Sequence, residues 1–412
     1  MKKLILYYLY SFLLIDTVLG YVFGYIAGGF HPGLIIRFGI SILLVHYFVK
    51  ENVLAKKMNI FGVSAVLFTA VCILQIFVFN IFSSHHVFEG YDSIRFSYKI
   101  VFMLLLANYV VTNGDFFKPH TDRILYANII VFLVNCVGGY LFGLGFLSYQ
   151  SLADSFRGYL GGNNSSIMSF VSFGFLLYRF QRSPKTNAIL LIFSMVTFYI
   201  LGTKGVFLAV FILLLFIINQ MRHFKIKRII ILIVILFTTF GVLSFYNVTE
   251  NIQNRIMKNY YSQLSQSRRS FSDFSSTPLG TIAPGRFGVA KRMLALQFLD
   301  SPFPILYGYG IRGIYDVFGR PAMMDIPMII SFYGLLGFFA IYLGIFSVIF
   351  RIIIHFDLDC ISALIVAIFI YSSLGGFLMG TASMSALFAF LLGTKYSEIL
   401  VEQEVQKTKI TR

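Results

Sequence analysis

Apolar stretches close to 20 residues long recur along this chain from its first residues to about position 395. A helix of that length crosses the ~30 Å hydrocarbon core of a bilayer, where only segments that satisfy their own backbone hydrogen bonds are viable. Charged residues make up 12% of the chain, about half the share in an ordinary globular domain. The expectation is an all-α polytopic membrane protein. The basic, apolar N-terminus MKKLILYYLYSFLLI has the start of a secretory signal, but its pattern continues to about residue 26 without a clean cleavage site. It therefore reads as a first helix.

The pattern places spans near 4–26, 32–49, 59–81, 98–112, 124–146, 164–179, 187–202, 205–221, 229–246, 326–350, 361–378 and 380–395. One run decides the parity. Ala188 to Asn219 is apolar for 32 residues except around Lys204, and as a single helix it would extend about 48 Å. Two short helices hinged at Gly202-Thr203-Lys204-Gly205 resolve the length. They also keep the basic clusters 179–185 and 222–228 on one face. With Lys2 and Lys3 inside, the connections 50–58, 113–123, 180–186, 222–228 and 351–360 and the tail collect Lys and Arg, as cytoplasmic segments do. Twelve spans with both ends in the cytoplasm follow, with helices 1–9 in residues 1–246 and helices 10–12 in 325–396. Residues 397–412 form the cytoplasmic tail.

Residues 247–324 then form a large extracytoplasmic loop. The chain has 33 Lys and Arg against 17 Asp and Glu, a net charge of +16. In a soluble protein that would suggest nucleic acid; here the positive-inside rule explains most of it, and no nucleic-acid partner is expected. The loop is the residual. It carries nine cations against four acids, Glu250, Asp273, Asp300 and Asp316, a surplus of five that topology does not explain. Such a surface calls for an anionic ligand. The three cysteines are scattered, with no metal-ligand spacing.

A buried charge pair is also expected. Asp16 and Arg37 fall inside the first two spans, where each lone charge costs about 2.5–3.5 kcal/mol on insertion scales. Their heights differ by roughly 7 Å on ideal helices, within arginine's reach. A structural ion pair is the expectation, with substrate contact as the alternative.

Several segments resemble the bacterial O-antigen polymerase (Wzy) and O-antigen ligase superfamily. GRFGVAKRMLALQFLDSPFPILYGYG (285–310) is similar to its pattern of a Gly-Arg opening a helix that ends near a Pro, followed by Gly-x-Gly. LGTKG (201–205) resembles the turn between the corresponding helices, and DIPMIISFYGLLG (325–337) the entry to the next span. The layout resemblance covers nearly the whole chain and the motifs about 45 residues. It implies a glycosyltransferase of the inner membrane, working at the outer face on undecaprenyl-diphosphate-linked oligosaccharide. Its partners would be that lipid, the bilayer and a chain-length regulator protein, in O-antigen (lipopolysaccharide) or capsule synthesis. Ligases of the superfamily carry a histidine near the entry to the span after the loop. None occurs between His223 and His355, which favours polymerase over ligase. A polysaccharide flippase is the rival from another class.

No cofactor or metal is required by such chemistry, because arginine clamps phosphate oxygens bidentately where other transferases use a metal. Arg286 and Arg292 are the first choices for that clamp, with lipid headgroups as their other possible partners. Arg157, in the shorter loop SLADSFRGYLGGNN, is a third cation. Lys204, Lys291, Arg312 and Arg320 are placed to contact phosphate or glycan. Arg269 and Gly280 fit an Arg-x10-Gly spacing found in outer loops of some polymerases, which chance also produces in so basic a loop. With no Trp in the chain, Tyr and Phe line the sugar path, Tyr309 among them. YGYGIRG (307–313) formally matches G-x-G-x-x-G but lacks the strand and βαβ context of a dinucleotide site, so its glycines read as a tight turn. Asp325 is either an N-cap or the general base, in competition with Asp154, Asp300 and Asp316.

Overall fold

The structure is a computed structural model. It describes residues 1–19, 32–55, 58–82, 91–143, 145–147, 156–160, 162–180, 183–201, 302–311, 324–354, 359–374, 378–379 and 381–410, together with the isolated positions Ile212, Ala290, Leu294, Ala295 and Ile314. The expected spans 205–221 and 229–246, the Lys204 hinge and nearly all of the large loop lie outside the described residues.

Helices dominate the remainder. In chain order they are α1 (Lys2–Leu14, continuing as a π-helical turn Ile15–Leu19) and α2 (Pro32–Tyr47, with a π-helical end Phe48–Leu54). Next come α3 (Ile60–Phe82), α4 (Tyr91–Thr112) and α5 (Gly114–Phe142). A hairpin of β1 (Phe146–Leu147) and β2 (Phe156–Gly158) precedes α6 (Gly162–Phe180) and α7 (Pro184–Leu201). Within the large loop lies α8 (Pro302–Tyr307), and after it come α9 (Asp325–Ile354), α10 (Cys360–Leu374) and α11 (Ala382–Ile410). The short hairpin is the departure from an all-helical reading. Its two strands lie in an expected outer loop, where they position Arg157.

Among the described residues, four helical stretches, Gly33–Leu54, Gly114–Phe142, Asp325–Ile354 and Ala382–Val405, are long and apolar enough to cross a membrane. Ile60–Ile76, Phe96–Thr112, Asn187–Leu201 and Cys360–Ser373 are shorter apolar helices. The surface chemistry is that of a membrane-embedded protein. On α2, Ile35, Phe38, Ile42, Val45 and Val49 are all exposed, a stripe at helical spacing that carries no polar group. On α9, Leu336, Phe339, Leu343, Phe346 and Phe350 repeat the pattern. Water would leave such stripes unstable, whereas lipid tails accept them.

The interior holds large aromatics and small polar residues together. Phe61, Phe68, Phe102, Phe170 and Phe388 are fully buried, and so are Ser165, Ser169 and Ser172 on α6. Small residues let helix backbones approach closely, and their hydroxyls bond within or across helices. Ser64 Oγ, for instance, accepts the Gly344 N–H of α9 at 3.2 Å, where a Cβ on Gly344 would press on Phe61. Helix α11 packs along α4, α3 along α9, α6 along α7 and α1 along α5.

One end of the bundle is closed by ion pairs. Lys395 Nζ, buried on α11, lies 3.0 Å from Asp359 and 3.6 Å from Glu398, which also meets Lys118 at 3.3 Å. Arg179 pairs with Asp122. The last helix continues beyond its apolar part to Ile410 as a polar extension, further than the expected span end at 395.

Helix α9 is broken. Gly334 adopts φ 68°, ψ −170° inside an otherwise helical run, a backbone region essentially closed to side-chain-bearing residues. Helix α8 and the turn after it seat against the break. A Cβ on Gly334 would overlap the Leu306 carbonyl, and one on Gly308 (φ 77°) would overlap the Phe332 carbonyl. Backbone is thus pressed on backbone. The carbonyls left open at the break and at the end of α8 are matched: Tyr309 N donates to Ser331 O at 2.7 Å, and Gln75 Nε2 donates to Tyr307 O at 2.7 Å and Phe332 O at 2.5 Å. A broken helix is tolerated at membrane depth only with such matching. Gly308 and Gly310, both at positive φ, form the expected tight turn. Replacing Gly334 with Ala combines overlap and a disallowed backbone, and should destabilise by about 3 kcal/mol or more. Gln75→Leu strips a donor from two carbonyls and should cost about 1–3 kcal/mol. Thermal unfolding of the detergent-solubilised protein reads both.

Candidate functional site

The expected charge pair is present, and it is more than a pair. Asp16 sits in the π-helical turn that ends the described part of α1, and its Oδ1 lies 2.5 Å from Arg37 Nη1 in the second turn of α2. The Ser383 hydroxyl, in the first turn of α11, donates to Asp16 Oδ2. Asn164 Nδ2, in the first turn of α6, donates to Ser383 Oγ at 3.4 Å. Four helices are therefore joined through one carboxylate. Gly33 makes room for it, since a Cβ there would stand 2.9 Å from Asp16 Oδ1. One turn deeper on α2, Ser41 Oγ and Tyr98 Oη share a hydrogen bond of 2.9 Å.

Arg157 is tied to the start of α6, and Asp325 to the segment ahead of α11. Asn164 and Ser165 are neighbours at the start of α6, and Ser165 Oγ donates to the Arg157 carbonyl at 3.4 Å. Asn135, in the π-helical part of α5, holds the same strand: its Oδ1 accepts Tyr159 N at 3.0 Å and its Nδ2 donates to Arg157 O at 3.4 Å. The Arg157 side chain is half-buried.

Asp325 is fully buried. Its carboxylate accepts Leu378 N at 3.2 Å and Met379 N at 3.2 and 3.4 Å. It caps the segment that leads into α11, four residues ahead of Ser383. Tyr309 contributes its backbone to the α9 break, with its ring half-buried. Lys204, Arg269, Arg286, Lys291, Arg292, Arg312 and Arg320 lie outside the described residues.

Among the described residues, then, the second turn of α2 and the first turns of α6 and α11 meet around Asp16, Arg37, Ser383 and Asn164, with Arg157 tied to the start of α6 and Asp325 to the segment ahead of α11. The N–H ends of helices carry partial positive charge, so the arrangement favours anionic groups beside it. Ser383 and Asn164 were not singled out from sequence. Their signal lies in TASMS (381–385) and GGNNSS (161–166), clusters of small polar residues at the starts of apolar runs. No three of His, Cys, Asp and Glu gather closely enough to hold a metal ion among the described residues. The chain matches no model of a protein family and no curated protein sequence.

Asp325→Ala would leave two buried N–H groups without an acceptor and should lower stability by about 2–4 kcal/mol. Asp325→Asn keeps one acceptor oxygen and should lose less. Thermal melting of the two variants side by side measures the difference.

Proposed function

We propose that this chain is a glycosyltransferase of the bacterial inner membrane, polymerising lipid-linked repeat units of a surface polysaccharide. It would transfer a growing glycan from undecaprenyl diphosphate to the next lipid-linked repeat at the outer face of the membrane. The reading rests first on the gathering of helix starts, Arg157 and the Asp16–Arg37 pair at one end of a bundle with an apolar exterior. A ligand served there would combine a lipid tail, an anionic group and polar hydroxyls, the make-up of a lipid-diphosphate sugar. The basic surplus of residues 247–324 and the segments 201–205, 285–310 and 325–337 support the same reading.

In this mechanism the leaving diphosphate gains charge as the glycosidic bond breaks. Arg286, Arg292 and Arg157 would neutralise that charge, with no metal needed. Lys204, Arg269, Lys291, Arg312, Arg320 and Tyr309 would contact the phosphates and the glycan. The twelve-span topology with the large loop outside and both termini in the cytoplasm belongs to this proposal.

Purified protein in bilayers should convert a fluorescent lipid-linked repeat into a ladder of longer glycans on a gel. Arg286→Ala should abolish the ladder at unchanged protein level. No lengthening by the wild type, with divalent metal present or absent, overturns the proposal. In cells, loss of the gene product should leave single repeats displayed at the surface; complete loss of display favours a flippase instead.

A further inference from the structure

Resting on the transferase reading above, we propose that Asp16 is the general base that takes the proton of the acceptor sugar hydroxyl, and that Arg37 is its positioning residue. The reaction requires a base, and the sequence offered four acids for the role. Asp154, Asp300 and Asp316 lie outside the described residues. Asp325 has no exposed surface, and its oxygens are held by the Leu378 and Met379 N–H groups. It is engaged as a structural anchor.

Asp16 differs on each count. Its side chain retains 15% exposure, enough for a small group to reach it. Each carboxylate oxygen receives one donor, Arg37 on Oδ1 and Ser383 on Oδ2. A carboxylate has about four acceptor positions, so each oxygen keeps one. The two donors fix the plane of the carboxylate, which is what a base aimed at one hydroxyl needs.

The surroundings indicate what binds there. Arg37 retains 9% of its surface, yet its Nε has no hydrogen-bond partner. The Tyr8 hydroxyl, at 3% exposure, lies against the Arg37 guanidinium and interacts with it. Asn164 Oδ1 is buried and also without a partner, on the side chain whose amide holds Ser383. Orphaned polar atoms are costly in an apolar bundle. Here one unpartnered donor, Arg37 Nε, and one unpartnered acceptor, Asn164 Oδ1, stand beside a carboxylate. A bare anion would use only the donor and a metal cation only the acceptors. A sugar carries hydroxyls that both donate and accept, so it matches the mixed set.

The step balances. As the acceptor oxygen bonds to the anomeric carbon, its proton passes to an Asp16 oxygen. The bond from that carbon to the diphosphate oxygen breaks, and the electron pair leaves with the lipid diphosphate. Asp16 then releases its proton to water.

The test uses full-length protein in bilayers with a fluorescent lipid-linked repeat, scoring lengthening across a pH series and binding of the repeat separately. The variant Asp16→Asn/Arg37→Gln removes both charges, so neither is left buried alone. It should fold, bind the repeat and lengthen it about 100-fold or more slowly, in line with loss of a general base. Asp16→Glu should retain measurable lengthening with the acid limb of its pH profile moved. Lengthening by the neutral double variant within threefold of wild type overturns the base assignment, leaves the transferase reading intact and makes the pair purely structural. If the double variant does not fold, Asp16→Glu decides: a pH profile identical to wild type overturns the proposal. Absence of lengthening in the wild type overturns the transferase reading and the base with it.

Discussion

A charge inside a lipid-facing bundle must be paired, and the Asp16–Arg37 contact is the point on which the arrangement of helix starts depends. The two residues lie on the first two described helices. The carboxylate then recruits the Ser383 hydroxyl from the last helix, and Ser383 recruits Asn164 from the sixth. Helices far apart in sequence are held at one end by polar bonds that have no competitor in hydrocarbon. Breaking a buried pair by removing one partner typically costs about 3–5 kcal/mol, because the remaining charge stays buried. Such an interaction specifies which helices meet even where its net contribution to stability is small.

The break in α9 is the second constraint, and it works through backbone. Gly334 and Gly308 let two main chains touch, and Gln75 supplies the donor for one open carbonyl on each of them. The segment 302–311, the last part of the basic loop that the structure describes at length, is thereby fastened to a transmembrane helix at a defined place. The opposite end of the bundle has a different chemistry. Lys395 is 12 residues beyond Ser383 on α11, about 18 Å along a helix, and it closes its end with Asp359 and Glu398. One end is thus closed by ion pairs, while the other gathers helix starts around a carboxylate.

Much of this was legible in the sequence because the bilayer imposes a simple period and length. Among the described residues, the helical stretches, the Asp16–Arg37 pair and the glycine turn at 308–310 each follow from a local pattern. The partners of that pair do not. Ser383 is one of many serines in apolar runs, and its role depends on where α11 starts relative to α1, a relation between residues more than 360 positions apart. Asp325 shows the same limit from another side. Its place before Pro327 is the pattern of a helix cap or a base, yet its carboxylate binds the backbone of a segment more than 50 residues later. The π-helical turn at Asp16 and the reach of Gln75 to two carbonyls are also tertiary facts. No periodicity encodes them.

The most direct test of the central claim, that lipid-diphosphate sugar binds at the gathered helix starts, is a photocrosslinking map. A photoreactive lipid-diphosphate oligosaccharide would be irradiated with the protein in bilayers and the adducts located by mass spectrometry. Adducts are expected on the second turn of α2 and the first turns of α6 and α11, around Arg37, Asn164 and Ser383. Adducts confined to the other end, near Lys118, Asp359 and Lys395, or equal labelling by a monophosphate lipid without glycan, would contradict the claim.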